Sequence, residues 1–555
     1  MNNPNPPPNI ASQFIRVQHR DVLLRYAGRG PALLLLHQSP QNSRALIPWI
    51  ARLSTNYAVF APDTPGFGYS DPLPMTAPEI ADYAAAIAAL VDALGIGKVL
   101  VYGVHTGAVT AMRLALDFPE KIAGLVCDGY ARFNNTEREA ILANYLPPFE
   151  PTWDGGHLMW LFARLHEQHL FFPWHEPTLT ARLQYPVPSP ERVHSDVMDV
   201  LDAGDGYRVG YRAPFLYDDA TAAARLAVPT RIYYRTEDVL SPHLLRLPVL
   251  PSHVTAEIVE GGPAALAVKA DAAFAAFSPD ATVCATDQCI AFALAASIST
   301  RFFVATSHGP IVLRSIAGCG EHDLLLLHEL GQPARTVVTS DQYRRVIIID
   351  LPGHGASRDW PVAQCDPKSI AEAMMVALNV AEVDLIGIEV DGGSAAIAVA
   401  LAQRLGPRCL GITLIRPLAL SPTERNAFMA LLPAAVPLPG GGHLAAVWQW
   451  ARLKYLFWPW LPPTGNAARK TAAPAPRRVH ADVVEVLRAG PRFEALWRHS
   501  LAFDLTSALA TLTCPITIRS SLETEPRRMS ASLAEALGMT AAPSPPGELI
   551  WVRGA

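Results

Sequence analysis

The sequence predicts an α/β protein with two tandem domains, each a mostly parallel, doubly wound sheet that carries a helical cap. Three observations lead to this reading. Apolar strand-like runs alternate with helix-like segments, the pattern of parallel sheets covered on both faces. Residues 99–108, Val-Leu-Val-Tyr-Gly-Val-His-Thr-Gly-Ala, read as strand, sharp turn and helix. The second half of the chain then repeats the landmarks of the first. The expected boundaries are 1–278 for the first domain with its cap at about 132–219, 279–299 for a linker, and 300–555 for the second domain with its cap at about 420–505.

Composition narrows the function. Half of the 555 residues are hydrophobic and 17% are charged, a soluble globular balance. Apolar runs break off well before the length of a membrane span, so no membrane partner is expected. A formal net charge of -5 and the lack of Lys/Arg runs leave no field for neutralising phosphates, which argues against nucleic acid. The Asn- and Pro-rich start, residues 1–10, has neither the charged nor the apolar region of a secretory signal, and a cytoplasmic location is the default expectation. Cys127, Cys284, Cys289, Cys319, Cys365, Cys409 and Cys514 show no metal-ligand spacing. They read as reduced thiols, with Cys284 and Cys289 close enough in sequence to form a redox pair. No metal or cofactor is expected.

The elements follow in order. Residues 14–26 alternate like a hairpin and end at Gly28-Arg29-Gly30. Leu33-Leu34-Leu35-Leu36 is a strand buried on both faces, leading into His37-Gln38-Ser39-Pro40. The strand 57–61 ends in the Pro- and Gly-rich turn 62–70, and residues 78–94 have helical spacing closed by Gly95 and Gly97. After the turn at His105 come a helix and the strand 122–127, ending at Asp128. Aromatic-rich sequence from about 132 to 219 interrupts the alternation as an inserted cap, which contains Trp160, Phe171, Phe172 and Trp174. Strands resume at 229–234, before Glu237-Asp238, and at 256–259, and a helix at 264–277 completes the unit.

The chain then starts over. Leu324 to His328 repeats Leu33 to His37, and residues 350–357 repeat 63–70. In the caps, Gly441-Gly442-His443-Leu444 repeats Gly155-Gly156-His157-Leu158, and Trp458-Pro459-Trp460 answers Phe172-Pro173-Trp174. Arg478-Val479-His480-Ala481-Asp482 repeats Arg192-Val193-His194-Ser195-Asp196. A period this long indicates domain duplication, since solenoid arrays repeat at a few tens of residues.

Both halves resemble the α/β-hydrolase superfamily. The first is similar to a subgroup of bacterial members with His-Gln-x-Pro, Asp-x-Pro-Gly-x-Gly-x-Ser-Asp and Gly-x-His-Thr-Gly, here 37–40, 63–71 and 103–107. The resemblance implies a strained elbow that lifts its central side chain into a cavity, and an oxyanion hole from backbone N–H groups of Thr106 and Gln38. It places the family acid at Asp238, after the seventh strand, or at Asp128, after the sixth. The departures bear on the chemistry: the elbow residue is His105 in place of serine, and the loop after the eighth strand, 259–266, has no histidine.

An imidazole titrates near neutrality and can take a proton from water or from carbon beside a carbonyl. His105 is accordingly the candidate general base, or a covalent nucleophile, held by Asp128 or Asp238 and acting on a small, largely apolar carbonyl compound. His37, Trp160 and Phe172 are candidate pocket residues. Bracing of the oxyanion loop is the competing role for His37, and packing of the cap is the competing role for the two aromatics. His157 and His443, present in both caps, read as structural braces, as do His194 and His480. Two further readings stay open, a non-catalytic ligand-binding or assembly module and a cofactor-independent lyase.

The second half departs further. Its elbow region is Gly387-Ile388-Glu389-Val390-Asp391-Gly392-Gly393, with Glu389 or, after a one-residue shift, Val390 expected at the position of His105; Thr524 aligns with Asp238, and the oxyanion segment is His328-Glu329-Leu330-Gly331. Glu389 and Asp391 read as solvated turn residues. This half reads as a degenerate copy with a structural role. Its last strand, 549–552, has no helix after it, leaving a flank for the first half or for another subunit of a homo-oligomer.

Overall fold

A computed structural model describes residues 10–296, 300–334, 341–457, 472–521 and 524–554, with side chains from 527 onward in the last segment. The N-terminal residues 1–9, the repeat at 458–460 and the side chain of Thr524 lie outside the described set. The chain divides into two compact units, 1–150 with 161–299, and 151–160 with 300–555.

The first unit contains β1 (Ala11–Val17), β2 (Arg20–Ala27), β3 (Arg29–Leu36), β4 (Ala58–Pro62), β5 (Val99–Val104), β6 (Ile122–Asp128), β7 (Thr230–Arg235), β8 (Val254–Val259) and β9 (Val283–Ala285). The sheet order is β1-β2-β4-β3-β5-β6-β7-β8, with β9 paired to β3. Strands β1 and β2 run antiparallel at one edge, and β4, β3, β5, β6, β7 and β8 are mutually parallel. The leucine run of β3 shows why this sheet needs two helical layers. Leu34 and Leu36 pack on one face with Ile87 and Met112, from helices Ile80–Ala93 and Thr106–Asp117. Leu33 and Leu35 pack on the other with Ile50 and Phe274, from helices Ile47–Leu53 and Gly262–Phe277. Successive side chains of a strand point to opposite faces, so a continuous apolar run satisfies both layers. Between β6 and β7 lie the helices Asn135–Asn144, Gly156–Gln168, Pro190–Ala203 and Tyr207–Leu216.

One segment differs from expectation. Residues 279–299, expected as a linker, contribute β9 and the helix Thr286–Ala296, which buries Cys289, Ile290 and Ala293 against the first unit's core. A three-residue strand carries too little alternation to show in sequence, and its partner is the exposed start of β3. Cys284 and Cys289 are free thiols here.

The second unit contains β10 (Arg301–Val304), β11 (Ile311–Ala317), β12 (Asp323–Leu327), β13 (Arg345–Asp350), β14 (Ile386–Asp391), β15 (Cys409–Ile415), β16 (Ile516–Ser521), β17 (Thr540–Ala542) and β18 (Glu548–Arg553). Its order, β10-β11-β13-β12-β14-β15-β16-β18-β17, matches the first sheet through seven strands. The closing strand β18, which includes the expected strand 549–552, runs antiparallel to β16 and is flanked by β17. The sheet therefore ends differently from the first, where β8 is parallel to β7. Asp391 is not a solvated turn residue: it ends β14, is 8% exposed, and both its carboxylate oxygens accept from Nη2 of Arg416, at 2.9 and 2.8 Å. No group of three metal-ligating side chains occurs among the described residues. Nor is any described helix long and apolar enough to cross a membrane.

Candidate functional site

The elbow forms because its flanking glycines allow backbone approaches that no side chain could. A Cβ on Gly103 would lie 2.4 Å from the Gly107 carbonyl oxygen, and one on Gly107 2.4 Å from the Leu36 oxygen. Between them His105 takes φ 48°, ψ −109°, an unfavourable conformation for a residue with a Cβ. Its N–H donates to the Asp128 carbonyl at 2.9 Å, tying the turn to the end of β6, and its carbonyl accepts from Ala108 and Val109.

The ring of His105 meets the acid after β7 directly, with Nε2 2.8 Å from Asp238 Oδ2. Asp238 is fixed in turn by Arg235, whose guanidinium donates to Oδ2 at 2.9 Å, and by the Leu240 N–H, which donates to Oδ1 at 2.9 Å. Asp128 lies beyond Arg235, 3.4 Å from its Nε, and accepts the Tyr102 hydroxyl at 2.9 Å. Asp238 is thus the carboxylate in contact with His105, and Asp128 is linked to it through Arg235. Gly129, at φ 72°, makes room for the ring: a Cβ there would fall 2.5 Å from Cδ2 of His105.

The electrostatics follow from burial set against pairing. Burial disfavours a charged His105 ring, but the Asp238 carboxylate and the Asp128 charge outweigh it and raise its pKa above the ordinary 6.5. Burial would raise the Asp238 carboxyl; His105, the Leu240 N–H and Arg235 instead hold it well below its usual range. For Asp128 burial prevails over Arg235, and its pKa is raised.

The loop after β3 is stitched to the elbow. The Ser39 N–H donates to Thr106 Oγ1 at 2.7 Å, and that hydroxyl donates to Ser39 Oγ at 3.1 Å. Thr106 opens its helix, so its N–H has no acceptor within that helix. Gln38 and Thr106 both line a cavity of about 320 Å³ together with His105 and Arg235. The cap supplies its apolar wall, chiefly Tyr145, Leu165, Phe172 and Tyr211, and a polar group of His169, Arg192 and Asp196.

Of the expected pocket residues, Phe172 lines this cavity and the other two do not. His37 is 2% exposed and lies behind the loop: Nε2 accepts the Thr64 N–H at 2.9 Å and Nδ1 faces the Gln38 carbonyl at 3.1 Å. A backbone N–H can only donate, so the proton of the neutral ring sits on Nδ1, and both nitrogens are spent on backbone. Trp160 falls in the 151–160 segment that clusters with the second unit and is not a wall of the cavity. His157 and His443 brace their caps alike, each accepting at Nδ1 a backbone N–H from five residues upstream, Thr152 and Leu438, at 3.1 Å. Sequence reasoning missed Arg235, His169 and Asp196. Asp196 had a usable signal, the Arg-Val-His-x-Asp segment present in both halves; Arg235 had only its place at the end of β7.

Elbow, sheet order and acid position define an α/β-hydrolase fold. Residues 31–154 match the family model described as alpha/beta hydrolase fold. Among similar proteins is an uncharacterized hydrolase of Saccharomyces cerevisiae, 31% identical over 150 residues, which are 26% of this chain and 50% of that protein. Another is the 2-(acetamidomethylene)succinate hydrolase of Mesorhizobium japonicum, 32% identical over 129 residues, 23% of this chain and 46% of that protein. The crystal structure of an epoxide hydrolase from Vigna radiata is similar at 21% identity and a TM-score of 0.37, covering 49% of this chain and 98% of that one. The chain spans about half the length of the curated relatives it matches.

Proposed function

We propose that the first unit is a hydrolase in which His105, held by Asp238, acts as general base on a small carbonyl compound. The observation that carries this reading is the 2.8 Å contact of His105 Nε2 with Asp238. A carboxylate only accepts, so in the neutral ring the proton sits on Nε2 and the lone pair on Nδ1, which has no partner among the described residues. The Cδ2 and Nε2 edge packs beside Gly129, and Nδ1 is the nitrogen left to a molecule in the cavity. Water bound there gives a proton to Nδ1 while its oxygen attacks the carbonyl carbon. The electron pair displaced onto the carbonyl oxygen is met by the N–H groups of Gln38 and Thr106. General-base action supplies roughly 10²–10⁴-fold, and an oxyanion donor roughly 10²–10³-fold.

The hydrolase names of the matched relatives support a hydrolytic outcome, and the Tyr145, Phe172 and Tyr211 wall supports an apolar body on the substrate. The turn after β14 carries Gly392, at φ 48°, where the first unit has His105, and Glu389 and Val390, expected at that position, lie back within the strand; the second unit is on this reading a degenerate duplicate that carries no activity.

The test compares the wild-type chain with His105→Ala on activated esters, thioesters and carbon acids. The expected result is a fall in kcat/KM of about 10²–10⁴ with product-analogue binding kept. Equal inactivity of both proteins, with ligands still bound, overturns the catalytic reading in favour of a binding module. Solvent-proton exchange into a carbon acid without hydrolysis would move the reaction to the lyase class.

A further inference from the structure

The cavity holds a second histidine–carboxylate pair that the mechanism above leaves unused. His169, at the end of the cap helix Gly156–Gln168, places Nε2 2.6 Å from Asp196 Oδ2. Asp196 is itself pinned, with Arg192 Nε at 3.3 Å and Gln41 Nε2 at 3.4 Å, and its side chain is 9% exposed. Gln41 accepts in turn from Gln38 Nε2 at 3.2 Å, so the pair is built onto the same loop that supplies the oxyanion donor. His169 and His105 line one cavity of about 320 Å³, one from the cap and the other from the elbow.

We propose that His169, oriented by Asp196, is a second catalytic residue of the first unit, the general acid that protonates the leaving group. The assignment rests on the proposed reading of the first unit as a hydrolase. As the tetrahedral adduct collapses, the bond from carbon to the leaving oxygen or nitrogen breaks, and its electron pair takes the proton from Nδ1 of the His169 imidazolium. His169 becomes neutral, with Nε2–H on Asp196. His105, protonated by the attacking water, returns its proton to solvent, from which His169 is recharged. The sum is addition of water across the carbonyl–heteroatom bond, with no oxidant or cofactor.

The alternative is that His169 merely ties the cap to the sheet, and the second unit separates the two roles. There Asp482 stands where Asp196 does in the shared Arg-Val-His-x-Asp segment, and Gln332 stands where Gln41 does, four residues after the loop histidine. Gln332 Nε2 lies 3.4 Å from Asp482, and the hydroxyl of Tyr455, at the position equivalent to His169, donates to Asp482 at 3.0 Å. The tether is thus made in both units, and a tyrosine suffices for it. The imidazole is present in the unit with an elbow histidine and replaced in the unit without one. Tethering explains the carboxylate and the glutamine; it does not explain the histidine.

His169→Tyr is therefore the informative variant, because it keeps the tether and removes the imidazole. Its hydrolysis of 4-nitrophenyl acetate, whose phenolate departs without a proton, is compared with that of ethyl acetate, whose alkoxide needs one. The expected result is a loss of about 10²-fold or more in kcat/KM on the ethyl ester, with the nitrophenyl ester changed by less than about threefold. Equal losses on both esters, or no loss on either, overturn the proposal. His105→Ala, run alongside, distinguishes the two readings. If it leaves both rates unaltered while His169→Tyr shows the selective loss, the role of His105 fails and that of His169 stands. If it abolishes both rates while His169→Tyr changes neither, only the assignment of His169 fails.

Discussion

At the residue scale the candidate site fits one imidazole between a carboxylate and a glycine. Because Asp238 raises the His105 pKa, a reaction that needs the neutral ring gains rate as pH rises through a value above 6.5. Asp238→Asn removes the negative partner, so the ascending limb of the kcat/KM profile should move to lower pH while the plateau falls. A limb that stays in place would show that the titrating group is not His105. Gly129→Ala probes the other side of the ring. Its Cβ would press on Cδ2 at 2.5 Å, and the residue would hold φ 72° at a cost of about 1–2 kcal/mol. The displaced ring should lose about 10²-fold in kcat/KM, and steady-state kinetics beside a urea titration separate that loss from the destabilisation. His105 and Asp238 were legible because turn glycines and strand ends mark them. The choice between Asp128 and Asp238 was not, because both follow strands that end at the same place in the sheet. What separates them is Arg235, which lies between Asp128 and Asp238, and no sequence spacing records that contact.

At the element scale the elbow is a junction of strand, turn and helix held by backbone contact. Gly107→Ala would place a methyl 2.4 Å from the Leu36 carbonyl oxygen, and neither backbone can yield without moving β3 or the helix Thr106–Asp117. Overpacking of this kind costs about 1–3 kcal/mol or more. The unfolding transition of the first unit should fall by that amount in urea, with the second unit's transition unmoved. A shift shared by both would mean that the units unfold as one. The elements legible in sequence were the ones with a strong period or a buried run, such as the leucines of β3 and the alanine-rich helix Ile80–Ala93. The miss at β9 has the opposite cause. Val283, Cys284 and Ala285 pair with Pro31, Gly30 and Arg29 at the start of β3, so tertiary contact and not local pattern makes them a strand. Likewise β18 reads as an apolar strand, but its antiparallel direction depends on its pairing with β16 and on β17, and the run of residues alone does not encode direction.

At the scale of the whole molecule, two sheets share a strand order through seven strands, while the loops that follow their leucine strands differ in charge. In the second unit Glu329 stands where Gln38 does, 5% exposed, and its carboxyl accepts the Gly393 N–H at 2.6 Å, taking up a donor beside the elbow. Burial, reinforced by the Asp391 charge, raises the Glu329 pKa above the ordinary 4.5 against the pull of Lys454. An acid with a raised folded-state pKa binds more protons folded than unfolded. Its favourable contribution is therefore complete below 4.5 and is lost as pH rises through the folded value. Glu329→Gln keeps an oxygen for the Gly393 N–H and removes the ionisation. The variant should flatten the decline of the second unit's stability above pH 4.5 and make it more stable than wild type at pH 8, read as thermal unfolding across pH. If the first unit alone carries activity, kcat/KM at 25 °C should be the same in the two proteins. A pH dependence identical in variant and wild type would show that Glu329 is not the group being titrated, and a change in kcat/KM would show that the second unit takes part in the reaction.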